Sequence, residues 1–170
     1  MPILRYPDAR LRQKCADVTE FDQRLHKLVA DMTDTMYAND GAGLAAIQVG
    51  EPLRMFIIEP EVAGRPHTEP AVVFCNPQIV EISDEAQTGD EGCLSFPGVF
   101  VPVKRGMRAR VRAQDVNGNF FEVEGSALFA RALQHESDHL IGRLLIDMVG
   151  PVKREIIKRK MKKEAAAEAR

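Results

Sequence analysis

Residues 126–142 read SALFARALQHESDHLIG, and this stretch decides how the rest of the chain is arranged. Leu128, Phe129, Ala132 and Leu133 recur at helical spacing, and Gly142 is a good stop residue, so a helix is expected from near Ser126 to Gly142. Upstream of it the pattern changes. MRARVRAQ (107–114) alternates, NFFEVEG (119–125) alternates less cleanly, and Asn117-Gly118 between them is a hairpin turn signal. Further upstream, RMFIIEP (54–60) and AVVFCNPQIVEI (71–82) are β-branched and apolar, broken by Gly64, Pro66 and Pro77. Before them comes a Gly-rich turn at 41–43. Residues 19–39 place Phe21, Leu25, Leu28, Val29, Met32 and Met36 on one helical face, with Thr19 or Asp22 to cap it and Asn39-Asp40-Gly41 to end it. Pro151 opens a last helix. Strands grouped between helices, with no βαβ repeat, predict an α+β fold. The expected architecture is a single domain over 1–170. Antiparallel sheets pack around a central helix carrying residues 134–140, with N-terminal and C-terminal helices flanking them.

The composition suits one soluble globular domain: 170 residues, 45% hydrophobic, 28% charged and a net charge of -2. That balance does not make the whole domain a nucleic-acid binder. No stretch approaches the roughly 20 apolar residues of a membrane span. The N-terminus MPILRYPDAR has no apolar leader pattern, so the cytoplasm is the expected location, and a monomer the expected state. Cys15, Cys75 and Cys93 are odd in number and irregular in spacing, which is no disulfide framework.

The chemistry lies in QHESDHL (134–140). His135 and His139 stand one turn apart on one helical face, where two neutral imidazoles can share a divalent ion. Glu136 is about 60° round from His139. It can take a proton from an activated water and pass it to a leaving group. An open catalytic site needs a third protein ligand. Downstream only Glu155 is a candidate, on a highly charged helix. Upstream, Cys93 in EGCLSFP (91–97) reads as a thiolate in a short loop-like stretch. Cys75, in an apolar run, reads as core, Cys15 as incidental, and His26 as a surface or interface residue. Asp138 is expected to sit beside the ligand pair, held by a basic residue such as Arg105.

Three stretches, GAGLAAIQVG (41–50), EGCLS (91–95) and QHESDHLIG (134–142), together resemble the three signature motifs of the peptide deformylases, in order and over most of the chain. The resemblance implies a metal site of Cys93, His135 and His139. It implies removal of the formyl group from the initiator methionine of nascent polypeptides, by attack of metal-bound hydroxide on the formyl carbon. Glu136 is then the proton shuttle, and Gln48 and the Leu94 N–H the oxyanion donors. Gly43, Leu44, Glu91, Leu128 and Arg131 are implied as substrate contacts. One divalent ion per chain is expected, ferrous iron in the cell, with zinc, nickel or cobalt able to occupy the site. The chemistry agrees with these roles: a side-chain amide and a backbone N–H aimed at a developing oxyanion stabilise the transition state.

The chain departs from the family pattern at several places. Ile47 lies inside the first motif, Phe100 stands where some members carry arginine, and Gly89 replaces a bulkier apolar residue. Arg131 stands where some members have an aliphatic side chain lining the methionine pocket. From 153 to 170 there are eight Lys/Arg against three Glu. Such a basic run at about 151–170 could dock on ribosomal RNA. Two other functional readings compete: a zincin-like metallopeptidase using a downstream ligand, and a non-enzymatic domain with a closed four-ligand site.

Overall fold

The computed structural model describes residues 1–169. It contains three α-helices, α1 (Gln23–Ala38), α2 (Leu128–Leu140) and α3 (Pro151–Glu168). Seven strands accompany them: β1 (Gly43–Ala45), β2 (Met55–Ile58), β3 (Val72–Ile82), β4 (Ala86–Cys93), β5 (Phe96–Gly106), β6 (Arg108–Gln114) and β7 (Phe120–Ser126). One antiparallel sheet has the order β1-β2-β3-β6-β7, and β4 pairs with β5 in a second. This is the expected α+β class.

The period-two alternation explains the layers. In β2, Phe56 and Ile58 enter one core with Phe74, Val111 and Leu133. Met55 and Ile57 enter another with Leu25, Met32 and Met36 of α1. Both faces of the strand are therefore covered, and all four of its residues are buried. In β6, Ala109, Val111 and Ala113 point inward while Arg108, Arg110 and Arg112 stay exposed. Helix α2 packs on the first sheet and also touches β5 of the second. A third core joins Leu4, Leu11, Phe96, Val101, Val103 and Leu145 to Ile157 and Met161, the two buried residues of α3.

Several boundaries and elements differ from expectation. The first helix starts at Gln23, because the Asp22 carboxylate accepts from the Leu25 N–H at 3.2 Å and so caps it. The second starts at Leu128, after Ala127 at φ 52° and ψ -121°, a conformation that costs an L-residue strain. The turn at 41–43 gives way to β1 at Gly43. The sequence reading leaves 86–106 without strands, yet β4 and β5 fill it, and Cys93 ends a strand instead of sitting in a loop. Cys15 is 5% exposed and belongs to the α2 core, so it is not incidental.

Candidate active site

Strand β5 buries Val99, Val101 and Val103 at every second residue, and the next inward position is Arg105. A guanidinium thus occupies an apolar register, and it needs partners. Its Nε and Nη2 donate to the two oxygens of Glu91 on β4, both at 2.9 Å, and its Nη1 donates to Asp138 of α2 at 2.6 Å. The expected Arg105–Asp138 contact is present. Burial opposes the charge on Glu91, but the hydrogen bonds from Arg105 and His135 bring its pKa down to about 2.

Glu91 in turn fixes a histidine. Its Oε1 lies 2.8 Å from His135 Nδ1, which leaves Nε2 free to face inward. Holding one ring nitrogen with a carboxylate is how a ligand histidine is oriented. Both Glu91 oxygens are engaged, because Arg131 Nη1 also reaches Oε2, at 2.6 Å. Glu91, expected as a substrate contact, lines the cavity but is 5% exposed, and its carboxylate acceptors are taken up by His135, Arg105 and Arg131. Helical spacing sets His139 against the same point, with ring centroids 5.2 Å apart and planes at 72°. Cys93 Sγ is 3.6 Å from His139 Nε2. The ligand atoms of Cys93, His135 and His139 all lie within 4.8 Å of one another.

These residues fit a divalent ion. Burial, followed by the charges of His135 and Arg105, holds the His139 pKa well below its ordinary value and favours the neutral ring a ligand needs. At His135 burial acts the same way but is outweighed by the hydrogen bonds to Cys93 and Glu91, which raise its pKa well above the ordinary value, so an ion would have to displace that proton. Glu136 is 3% exposed and its Oε1 is 3.8 Å from His135 Nε2. Its Oε2 is buried with no protein hydrogen-bond partner, which is rare unless a polar group arrives there. Burial pushes the Glu136 pKa up to about 7, where a carboxyl exchanges its proton near neutrality. Glu155, by contrast, is exposed and pairs with Lys158 at 3.7 Å, away from the cluster.

Gln48 follows β1 in a 3-10 turn over Ala46–Val49. Its Oε1 accepts from the Ala45 N–H at 3.0 Å, which fixes the amide orientation. Its Nε2 therefore points to Ser95 Oγ at 3.0 Å and to Cys93 Sγ at 3.5 Å. Leu94 lies in the turn between β4 and β5, with its side chain over Gly41, where a Cβ would meet Leu94 Cδ1 at 2.7 Å. A Cβ on Gly43 would lie 3.1 Å from the Glu136 carboxyl carbon, so the glycine keeps that approach open. Leu44 is fully buried in the α1 core, so its side chain offers a substrate nothing, and only its backbone is available. Leu128 is 60% exposed at the cavity mouth and Arg131 is inside.

Two polar residues escaped the sequence reading. Ser95 is wholly buried as the acceptor for Gln48. Gln134 makes a two-way clasp with the Gly106 N–H and C=O, each at 3.0 Å, and so ties α2 to the end of β5. Their only signal is position: Ser95 is two residues after Cys93, and Gln134 directly precedes His135. The cluster opens into a cavity of about 1180 Å³ that extends past Phe100 to Met161 of α3.

A Cys-His-His donor set beside a buried carboxyl, on a helix held between two antiparallel sheets, defines a hydrolase of the single-metal-site class. The pattern of one family, polypeptide deformylase, matches residues 1–155, and the chain belongs to that family. The peptide deformylase of Brucella suis biovar 1 is 44% identical over 168 residues, covering 99% of this chain and 95% of that protein. The peptide deformylase of Syntrophobacter fumaroxidans is 46% identical over 164 residues, covering 96% and 95%. The crystal structure of a Legionella pneumophila peptide deformylase superposes with a TM-score of 0.90 at 42% identity, covering 99% of this chain and 97% of that one.

Proposed function

We propose that the chain removes the formyl group from the initiator methionine of nascent polypeptides and releases formate. The observation that carries this reading is the convergence of Cys93, His135 and His139 within 4.8 Å. Glu136 stands beside them, at the floor of a cavity that one sheet edge borders. A divalent ion bound there supplies Lewis acidity and activates water. We take ferrous iron as the cellular ion, since thiolate and imidazole donors suit it, with zinc, nickel or cobalt able to replace it.

The chain's own residues do the rest. Strand β1 pairs with β2 on one side only, and Gly41, Ala42 and Gly43 line the cavity. A substrate peptide extends the sheet along that edge. Its formyl carbonyl then lies between the Gln48 amide and the Leu94 N–H, which donate to the oxyanion as it forms. Glu136, neutral or charged near pH 7, takes the proton of the attacking water and returns it to the departing amine. Gly43 leaves the space for this, and Glu91 and Arg105 keep His135 in place.

Such a substrate places the enzyme in the cytoplasm, and we expect it to act as a monomer and a single domain. No helix among the described residues is long and apolar enough to cross a membrane. The basic α3, which buries only Ile157 and Met161, leaves Lys153, Lys162 and Lys163 exposed to dock on ribosomal RNA. A chain ending at Gly150 that sediments with ribosomes as well as the full chain would refute that part.

An anaerobic assay of amine release from formyl-Met-Ala-Ser, with ferrous iron added, tests the activity. Wild-type turnover that collapses in Glu136→Ala is the expected result. A metal-loaded wild type without turnover overturns the reading.

A further inference from the structure

The face of α2 that presents His135 also presents Leu128, Arg131 and Ala132, and all four line the main cavity. Arg131 is four residues before His135, one helical turn or about 5.4 Å along the axis. It is only 7% exposed. Its Nη1 donates to Glu91 Oε2 at 2.6 Å, to Val103 O at 2.9 Å and to Gly89 O at 3.3 Å. Its Nη2 reaches only Gln87 Oε1, at 3.5 Å, and Nε makes no hydrogen bond among the described residues. A guanidinium has five N–H donors, so this one keeps donor capacity without a protein partner, on a residue that lines the cavity. Gly89 makes room for it, since a Cβ there would stand 3.3 Å from Arg131 Nη2.

We propose that Arg131 is the specificity-determining residue of the pocket that receives the first side chain, and that it admits formyl-methionine sulfoxide as well as formyl-methionine. The proposal rests on the deformylase reading. With the formyl carbon at the Cys-His-His cluster and the peptide along β1, the first side chain is directed along α2 toward Arg131. There the far end of an unbranched side chain meets N–H donors instead of a purely apolar wall. The methionine thioether is a weak acceptor, and the sulfoxide oxygen is a far stronger one. Norleucine has the same length and no acceptor, so it displaces water from the unpartnered Nε donor and offers nothing in its place. The discrimination is thus by hydrogen bonding, which a cavity lined only with aliphatic groups does not supply.

The test compares kcat/KM for formyl-Met-Ala-Ser, its methionine-sulfoxide form and its norleucine form, with iron under anaerobic conditions. Wild type, Arg131→Leu and Arg131→Lys are measured. Wild type should use the sulfoxide peptide better than the norleucine peptide. In Arg131→Leu the sulfoxide-to-norleucine ratio should fall by about tenfold, the scale of one charge-assisted hydrogen bond, and Arg131→Lys should lie between. A ratio unchanged in Arg131→Leu overturns the proposal. Should that variant fail to fold, wild type alone decides: preference for norleucine over sulfoxide overturns it. Wild type that releases formate from none of the three peptides overturns the deformylase reading itself, and the proposal with it.

Discussion

Arg105 holds two carboxylates of the site, and replacing it by methionine tests how the scaffold is stabilised. The substitution keeps much of the side-chain length and removes three hydrogen bonds, two to Glu91 at 2.9 Å and one to Asp138 at 2.6 Å. Breaking a buried ion pair by removing one partner costs about 3–5 kcal/mol, because the other charge is stranded. Two features place this case at the lower end. Arg131 still donates to Glu91 at 2.6 Å, and the Asp138 side chain is 18% exposed, so water reaches it. The expected loss is therefore about 3 kcal/mol, a large share of the roughly 5–15 kcal/mol that holds a domain folded. Urea unfolding at pH 7 reads it as a lower midpoint at unchanged slope. Adding Glu91→Gln to Arg105→Met removes the stranded charge and should recover at least about 1 kcal/mol. A single variant within about 1 kcal/mol of wild type, or a double variant no better than the single, would refute the reasoning.

The same network sets an acid limit. Glu91 has a folded pKa lowered to about 2 from 4.5, so its stabilisation is fully present above pH 4.5 and is lost as pH falls toward 2. At 1.36 kcal/mol per pH unit it amounts to about 3 kcal/mol, and Glu91→Gln should flatten the stability-versus-pH curve in that window. Ala127→Gly should relieve the positive φ at the start of α2 and raise stability by about 1 kcal/mol, read as a higher unfolding midpoint. Gly43→Val should cut kcat/KM at least tenfold with little change in Tm, because the added side chain meets the Glu136 carboxyl at the cavity floor.

Much of the fold was legible because its signals are periodic. The α1 stripe, the β6 alternation and the α2 pattern each follow from burial on one face, and the structure departs from them by only a few residues at the ends. Strands β4 and β5 were not legible. AQTGDEGC has no apolar alternation, and its Glu91 is buried only because Arg105, Arg131 and His135 meet it. The Val99, Val101 and Val103 alternation is present in the sequence, interrupted by Pro97 and Pro102. A two-stranded sheet is all edge, where a proline costs no ladder bond. The metal-ligating candidates were legible because helical spacing and thiolate chemistry are local facts. The role of Glu91 was not, since it depends on which residues the sheets bring across from 14 to 44 positions away.

One measurement tests the central claim most directly: mass spectrometry of the products from a long N-formylated peptide incubated with the iron-loaded chain. The account predicts loss of the formyl group alone, with every internal peptide bond intact and formate released in equal amount. Internal fragments carrying an intact formyl group would contradict it and would move the chain's chemistry to ordinary peptide bonds.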